Sequence, residues 1–447
     1  MRKAAVGILL FTAVSRLLRA ACRWDEWSLH YATYNWDTRH ALLAGDVGAA
    51  LTGWVGLHPP GYPLLHAVIS FAWSAPAAWM LTSALASTVA VFALLRAHPQ
   101  TIVPALVIAT DPVQLHYAAE VNNYPLGVMV LALAWMAHRR KQPILLCVMA
   151  FFACWTHMLV AVGVGLIAAL NNRRVLVLGV MAACSLVLLP EAWSIATDSG
   201  SRQQPPLDLE LSLRDAIDRF GLSWIMLLPV LLVGMSTAAH AAIVWGGVVL
   251  VWCGTVFTGI AAPHQFPYAC FLGVPAAALI AAALHPRPKL IPLLCVLLAG
   301  RGLIAVITDA EQVRAILHDQ DTERAIDVVL TQAQTGDAIV LVRGPGAPDD
   351  DKRHTSPVLW RLNPFQEVIP IDTVGPPAFE GHPVLVDGIR VYTFAHPREA
   401  IGEIRADRVF TILYDGAEQN PGKIAPHADQ GPWRVVGPDR LRGPSGS

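Results

Sequence analysis

Long apolar segments separated by short polar loops fill about the first two thirds of this sequence. Each is as long as a membrane-spanning helix, about 20 residues, or somewhat shorter. A further apolar piece, 63–74, begins at Pro63 and is short, so it is predicted to lie along the membrane surface. The others predict about eleven crossings, at residues 4–21, 76–96, 100–111, 124–137, 142–155, 157–170, 174–190, 220–235, 238–258, 268–284 and 289–307.

The short loops alternate between basic and non-basic, which predicts the orientation of the chain. Lysine and arginine concentrate in cytoplasmic loops, here Arg2/Lys3, Arg96, 138–141, Arg173/Arg174 and Arg287/Lys289. The N-terminus is therefore predicted to be cytoplasmic. Alternation then places outside a long first loop, 23–75, the regions 111–124, 191–219 and 261–267, and the C-terminal tail.

The tail, 309–447, changes character and predicts a separate extracytoplasmic domain after the transmembrane domain 1–308. Apolar residues at helical spacing occupy 311–334. Strand patterns follow at Ala338–Val342, Val384–Val386, Arg390–Phe394, Val409–Tyr414 and Trp433–Val436. This mixture predicts a small α/β domain. The turn after the first strand reads R-G-P-G and lacks the lysine of a phosphate-binding loop, so a supporting or lid role is favoured over nucleotide binding.

Composition supports the membrane assignment and excludes other classes. Hydrophobic residues make up 54% of 447 and charged residues 15%, whereas soluble proteins carry about 25% charged residues. The net charge of −1 and the absence of a basic run exclude nucleic acid as a partner. All seven cysteines lie in or beside apolar segments, which indicates buried thiols. Arg16 and Arg19 argue against cleavage of a signal peptide, so the first segment is predicted to be an uncleaved helix.

Candidate chemistry collects in four predicted outer regions. Asp25 and Glu26 lie directly after the first apolar segment, where ionisable groups usually face a water-filled cavity. The alternative is that they only mark a helix end in the headgroup layer. The remaining candidates are His58 and Tyr62 in H-P-P-G-Y, Asp111, His116, Tyr117, Glu120, Asn122 and Tyr124 in the next region, His157 in W-T-H, and His264 and Tyr268 in H-Q-F-P-Y. Each taken alone also fits a cap, an interfacial aromatic or a buried, hydrogen-bonded polar group.

The order of these motifs resembles the GT-C class of membrane glycosyltransferases, specifically bacterial relatives of protein O-mannosyltransferases and aminoarabinose transferases. That family has an acid after the first helix, then H-P-P with a following aromatic, here His58 to Tyr62. Its segment S-P-x-x-x-x-Y-x-x-E-x-R-x-Y-x-L corresponds to D-P-V-Q-L-H-Y-A-A-E-V-N-N-Y-P-L at 111–126, and its T-H motif to Thr156-His157. The resemblance covers roughly residues 1–310 and implies a GT-C fold.

The resemblance implies an inverting enzyme of the prokaryotic cell envelope, in the plasma membrane. Such enzymes move a sugar from a polyprenyl-phosphate carrier to a glycan, lipid or protein acceptor on the outer face. A carboxylate must take the acceptor proton, and Asp25 matches the family's acid by position. Glu26 is its less favoured neighbour, because adjacent helical residues point about 100° apart. The other candidates would bind donor or acceptor. No residue spacing is diagnostic of a metal, so a divalent cation stays an open alternative.

Two departures from the family pattern keep other functions in view. Asn122 and Pro267 stand where the family has arginines, which suit a lipid-linked phosphate. Arg23, Arg39 and Arg202 are the candidates to replace them. The alternatives are a non-catalytic member of the family and a transporter or flippase of lipid-linked sugars. A transporter is expected to have two related halves, and the sequence does not show them.

Overall fold

The computed structural model divides into two compact units. One, the helical unit, contains residues 1–23 and 37–309, and the other, the C-terminal unit, contains 24–36 and 310–447. The structure describes residues 2–22, 38, 41–52, 59–72, 76–117, 123–198, 227–228, 230–257, 270–308, 329, 331–332, 334, 337–342, 384–386, 389–394, 408–414, 426–430 and 433–440.

Helices account for nearly all described residues of the helical unit. In chain order these are α1 Arg2–Cys22, α2 Val47–Thr52, α3 Gly61–Ala72, α4 Pro76–Ala97, α5 Val103–Ala109, α6 Pro112–Tyr117, α7 Tyr124–Arg139, α8 Pro143–Thr156, α9 Met158–Ala169, α10 Arg174–Asp198, α11 Val230–Thr237, α12 Ala239–Phe257, α13 Gly273–Leu284 and α14 Ile291–Thr308.

Proline and basic residues mark the ends of these helices. Proline lies in the first turn of α5, α7 and α8, where the missing N–H has no helical partner to lose. Arg96 lies in the last turn of α4, and His138 and Arg139 lie in the last turn of α7. Cations there interact favourably with the helix dipole. The sequence signals for these boundaries therefore act as expected.

The helices bury one shared apolar core and present further apolar residues outward. Val91, Leu94 and Leu131 are fully buried. On outward faces Ile144 is 80% exposed and Val175 82% exposed. Soluble proteins rarely expose contiguous apolar surface on this scale. The exposed leucine, isoleucine and valine side chains of these helices suit contact with lipid.

Few described helices reach the full length of a membrane span. Pro288–Ala305 alone is long and apolar enough among the described residues, and Val230–Thr237 with Ala239–Gly254 would add a second if the pair were one span. That pair is bent by 118°, which fits the two separate segments predicted there. The predicted segment 100–111 instead contains α5, and α6 begins directly after Asp111. The predicted number of crossings stays a prediction.

The basic loops lie at one end of the helical unit. Arg140 Nε donates to the Arg96 carbonyl at 3.1 Å, and Asn171 Nδ2 lies 3.5 Å from His138 Nδ1. The His138 and His240 rings are 5.6 Å apart. We call this region, formed by residues 96–101, 138–142, 170–174, 237–240 and 285–290, the basic end. Which side of a membrane it faces stays a prediction.

The C-terminal unit contains a six-stranded sheet in the order β2-β3-β1-β4-β6-β5. Its strands are β1 Ala338–Val342, β2 Val384–Val386, β3 Ile389–Phe394, β4 Arg408–Tyr414, β5 Pro426–Gln430 and β6 Trp433–Arg440. The central strand β1 is parallel to β3 and β4, whereas the outer pairs are antiparallel. All five predicted strands are present, and β5 was not predicted. Most of the predicted helical region 311–334 lies outside the described residues, so the α/β class stays a prediction.

An ion pair precedes the central strand of this sheet. Arg408 on β4 contacts the Asp337 carboxylate at 2.6 Å, and the Gln334 amide donates to the same carboxylate at 2.6 Å. Burial by itself would raise the pKa of Asp337, but the Arg408 and Gln334 hydrogen bonds outweigh it and hold that pKa below its ordinary value. The pair ties the start of β1 to β4.

Candidate functional site

Much of the predicted site lies outside the described residues. The proposed base and its neighbour belong to this group, as do most of the histidines and the two positions that depart from the family. They stay predictions and are Asp25, Glu26, His58, Glu120, Asn122, His264, Pro267 and Tyr268, together with Arg23, Arg39 and Arg202. For His116 only the backbone, within α6, is described.

Two of the described candidates meet in an aromatic cluster with His157 and a fourth ring. Tyr117 at the end of α6 lies 5.4 Å from Tyr124 at the start of α7, measured between ring centroids. Tyr124 lies 6.3 Å from His157, and His157 lies 4.6 Å from Phe271. We call Tyr117, Tyr124, His157 and Phe271 the aromatic cluster. The structure therefore joins the 111–124 region, the T-H motif and the start of α13.

His157 has a structural role that the sequence left open. It is the N-cap of α9 in an extended conformation, and its Nδ1 accepts a hydrogen bond from the Leu159 amide at 3.1 Å. The neighbouring Thr156 carbonyl accepts from Asn123 Nδ2 at 3.1 Å. An accepting Nδ1 places the proton of a neutral imidazole on Nε2. The capping bond fixes the ring within the cluster.

The H-P-P-G-Y turn packs against the same helical hairpin. A Cβ added at Gly61 would overlap the Trp155 carbonyl, so α3 approaches the end of α8 more closely than any other residue would allow. Tyr62 is buried next to it, with its ring 4.1 Å from the His66 ring. Two motifs that the sequence analysis treated separately are therefore adjacent.

Asp111 pairs with an arginine that the sequence analysis did not single out. Arg301 on α14 lies 3.3 Å from the Asp111 carboxylate and donates to the Thr110 and Val107 carbonyls at 3.2 and 2.9 Å. The Val113 and Gln114 amides donate to Asp111, which makes it a cap of α6. The single charge within the apolar segment 289–307 was a signal, because buried ionisable residues in such segments have partners.

A second buried arginine reaches the same place from α1. Arg16 donates to the Ala109 carbonyl at 2.9 Å and to the Ile108 carbonyl at 3.3 Å. The last carbonyls of a helix lack partners within it and carry a partial negative charge. Arg16 and Arg301 therefore satisfy the end of the short helix α5 and hold the chain break before α6. Gln114 adds a bond to the Cys270 carbonyl at 2.7 Å.

These contacts assign most of the described candidates to positioning. Asp111 is 1% exposed and its charge faces a guanidinium, so it is not placed to accept a proton from a substrate. Tyr62, Tyr117 and Tyr124 are also buried. Within the described part of the chain, no three His, Cys, Asp or Glu side chains are grouped so that they could hold a metal ion. The described residues thus frame a site without supplying its base.

The fold is that of the helical GT-C membrane glycosyltransferases, as the resemblance implied. Two structures of ArnT from Cupriavidus metallidurans are similar to this chain. One, bound to undecaprenyl phosphate, has a TM-score of 0.57 at 12% identity and covers 96% of this chain and 97% of its own. The other, in the apo state, has a TM-score of 0.55 at 14% identity, covering 97% and 98%. No protein-family model and no curated protein matches the sequence.

At such low identity the likeness concerns the fold. It confirms the resemblance to aminoarabinose transferases at that level and the coarse fold class of a polytopic helical membrane protein. It also extends over nearly the whole of both chains, so the C-terminal unit is part of the match. Roles of individual residues do not follow from it.

Proposed function

We propose that this protein is a membrane glycosyltransferase that moves a sugar from a polyprenyl phosphate to an acceptor on the outer face of the plasma membrane. The observation that carries the proposal is the fold shared along 96% of the chain with ArnT bound to undecaprenyl phosphate. The aromatic cluster supports it, because three predicted outer regions meet there. A polyprenyl chain would remain in lipid while its phosphate meets polar groups beside this cluster.

The reaction is a single displacement at the sugar. The acceptor oxygen bonds to the anomeric carbon as the bond from that carbon to the phosphate oxygen breaks. The electron pair leaves with the polyprenyl phosphate, and the acceptor proton passes to the Asp25 carboxylate. Glu26 holds the loop, and Glu120 orients acceptor or donor. A positioned base contributes about 10²–10⁴ in rate.

The leaving phosphate needs cationic partners as its charge develops. Arg301 is committed to Asp111 and to two backbone carbonyls, and Arg16 is committed to the end of α5. The proposal therefore assigns this role to Arg23, Arg39 or Arg202 on the predicted outer loops. Since no described group could hold a metal ion, no step is assigned to one.

The proposal is tested with the purified full-length protein in liposomes containing a panel of undecaprenyl-phosphate sugars and candidate acceptors. Mass spectrometry follows the appearance of free undecaprenyl phosphate. We expect donor consumption by the wild type, a loss of about 10²–10⁴ in rate for Asp25→Asn, and a much smaller loss for Glu26→Gln. Equal donor-binding curves for all three proteins would show that binding survives.

Other outcomes would contradict parts of the proposal. Near-normal transfer by Asp25→Asn would remove its role as base, and the reverse ranking would give that role to Glu26. Movement of intact donor between leaflets without consumption would indicate a flippase. Loss of activity with a chelator, restored by a divalent cation, would contradict the metal-free step.

A further inference from the structure

A cavity of about 600 Å³ opens at the basic end of the helical unit, away from the aromatic cluster. Its polar lining comes from four separate parts of the chain and includes His98, His138, Arg139, His240 and His285. His138 lies fourteen residues after Tyr124 on α7, which is about 21 Å of helix. The cavity is therefore a different site from the one discussed above.

The imidazoles and one indole form a connected row along the cavity wall. Trp135 Nε1 donates to His98 Nε2 at 3.1 Å, so the proton of the neutral His98 ring lies on Nδ1. The Trp135 and His138 rings are 5.7 Å apart, and the His138 and His240 rings are 5.6 Å apart. Four histidines lining one cavity present several ring N–H groups to whatever occupies it.

The surroundings of the cavity carry positive charge without a compensating acid. The sequence contains no Asp or Glu in 47–110, 121–190 or 219–308, which include every lining segment. The charged and titratable groups at this end, taken over all the elements packed around the cavity, are Arg96, His98, His138, Arg139, Arg140, Lys141, Arg173, Arg174, His240, His285, Arg287 and Lys289. Such a cavity attracts anions.

The inner part of the cavity is apolar. Small side chains of α12 and α13, among them Ala241, Ala278 and Ala281, line it together with Ile291. Ala278 lies seven residues before His285, so this part reaches about 10 Å along the helix from the polar mouth. A ligand with an anionic head and an apolar body would match both parts.

We propose that this cavity is a second binding site, which takes the phosphate group of an anionic amphiphile between His138, His240 and Arg139, with the apolar body against the alanines. Basic pockets between helices at the cytoplasmic side of a membrane suit phospholipid head groups. The same phosphate chemistry would admit a soluble phosphate. The volume is within the range of ligand sites, about 300–1,000 Å³. The inference does not rest on the proposed transferase reaction, since its readout is binding.

Metal binding and general attraction of cations to the membrane surface are the competing explanations. Among the described residues no three His, Cys, Asp or Glu could hold one metal ion, so the histidines surround the cavity without converging. Cytoplasmic loops in general carry lysine and arginine, which accounts for Arg173 and Arg174. It does not account for four histidines around one cavity.

The site is expected to bind more tightly as the pH falls. Burial, and next the Arg139 guanidinium, lowers the pKa of His98 to about 4, so this ring stays neutral and bonded to Trp135. Burial, then His240 and Arg139, lowers the pKa of His138, which lies just beyond the predicted span 124–137. A bound phosphate offsets this repulsion and favours protonation. By linkage, each proton taken up with the ligand strengthens binding by up to about tenfold per pH unit.

The test is native mass spectrometry of the full-length protein released from nanodiscs of phosphatidylcholine with added phosphatidylglycerol. We expect retained phosphatidylglycerol on the wild type, more at about pH 6 than at about pH 8, and a loss of about tenfold or more in retention for His138→Gln and His240→Gln. Arg173→Gln is the control, because it removes a full charge at the same end without lining the cavity. Size-exclusion profiles and melting temperatures confirm that each variant folds.

Inorganic phosphate distinguishes the two ligand sources. If millimolar phosphate displaces the lipid from the wild type, and binds in its absence with the same dependence on His138 and His240, the site serves a soluble phosphate. If phosphate has no effect while the lipid dependence holds, the site serves a lipid head group. Equal losses in the His138→Gln, His240→Gln and Arg173→Gln variants, or no loss in any of them, would overturn the inference.

Discussion

Replacing Arg301 with methionine would leave the Asp111 carboxylate buried beside a side chain of similar length that carries no charge. Arg301 is 7% exposed and Asp111 1% exposed, so water cannot take the place of the lost guanidinium. The variant also loses the donors to the Thr110 and Val107 carbonyls. All of these contacts lie where the chain breaks between α5 and α6.

The cost of this change follows from the burial of the pair. Removing one partner of a buried ion pair costs about 3–5 kcal/mol, because the other charge is left uncompensated. With a shift of about 2–4 °C per kcal/mol for a unit of some 150–250 residues, the melting temperature should fall by about 6–20 °C. The second substitution Asp111→Asn removes the stranded charge while keeping a residue that caps α6 well. The double variant should regain about half or more of the loss.

The assay is thermal unfolding of the detergent-solubilised protein at one fixed heating rate, because unfolding of large proteins is often irreversible. Arg174→Met is the control, since Arg174 is exposed at the basic end and should shift the melting temperature by less than about 2 °C. If Arg301→Met melts with the wild type, or if the double variant is as unstable as the sum of the singles, the pair does not hold this break as argued.

Two further predictions concern packing and pH. Gly61→Ala should destabilise the protein by about 1–3 kcal/mol, because the new methyl overlaps the Trp155 carbonyl, whereas Gly246→Ala, where nothing lies within 4 Å, should be neutral or slightly stabilising; paired melting curves decide this. The pKa of Asp337 is depressed by Arg408, so the pair should stabilise the C-terminal unit above the unfolded pKa of about 3.9, and that contribution should disappear as the pH falls through the folded pKa. Asp337→Asn should be less stable than the wild type at neutral pH and should lose less stability on acidification, and calorimetry of both proteins that found equal acid sensitivity would contradict the assignment.

The helices that the sequence predicted best are those with strong boundary signals. The predictions 142–155 and 157–170 differ from α8 and α9 by about one residue at each end, because Pro143 starts one and His157 separates them. The segment 100–111 was less well predicted, since Pro104 and Pro112 allow a helix to begin twice within one apolar stretch. Periodicity alone does not show where such a stretch breaks.

The sequence could not predict which side chains meet across the fold. Asp111 and Arg301 are far apart in the chain, and only the packing of α14 against α5 brings them together. His98, His138, His240 and His285 follow the same rule at the basic end. Alternation of helices predicts a shared end for them but not a common cavity. The predicted base, Asp25, rests on the family resemblance and on its position after α1.

The central claim is that a polyprenyl phosphate binds beside the aromatic cluster, and a structure of the full-length protein with added undecaprenyl phosphate tests it most directly. We predict density for the phosphate at the end of the helical unit that holds Tyr117, Tyr124 and His157, with the first outer loop and Asp25 facing it. The polyprenyl chain should run outward into lipid. Phosphate density only in the cavity at the basic end, or a cluster packed shut with Asp25 far from it, would contradict the account.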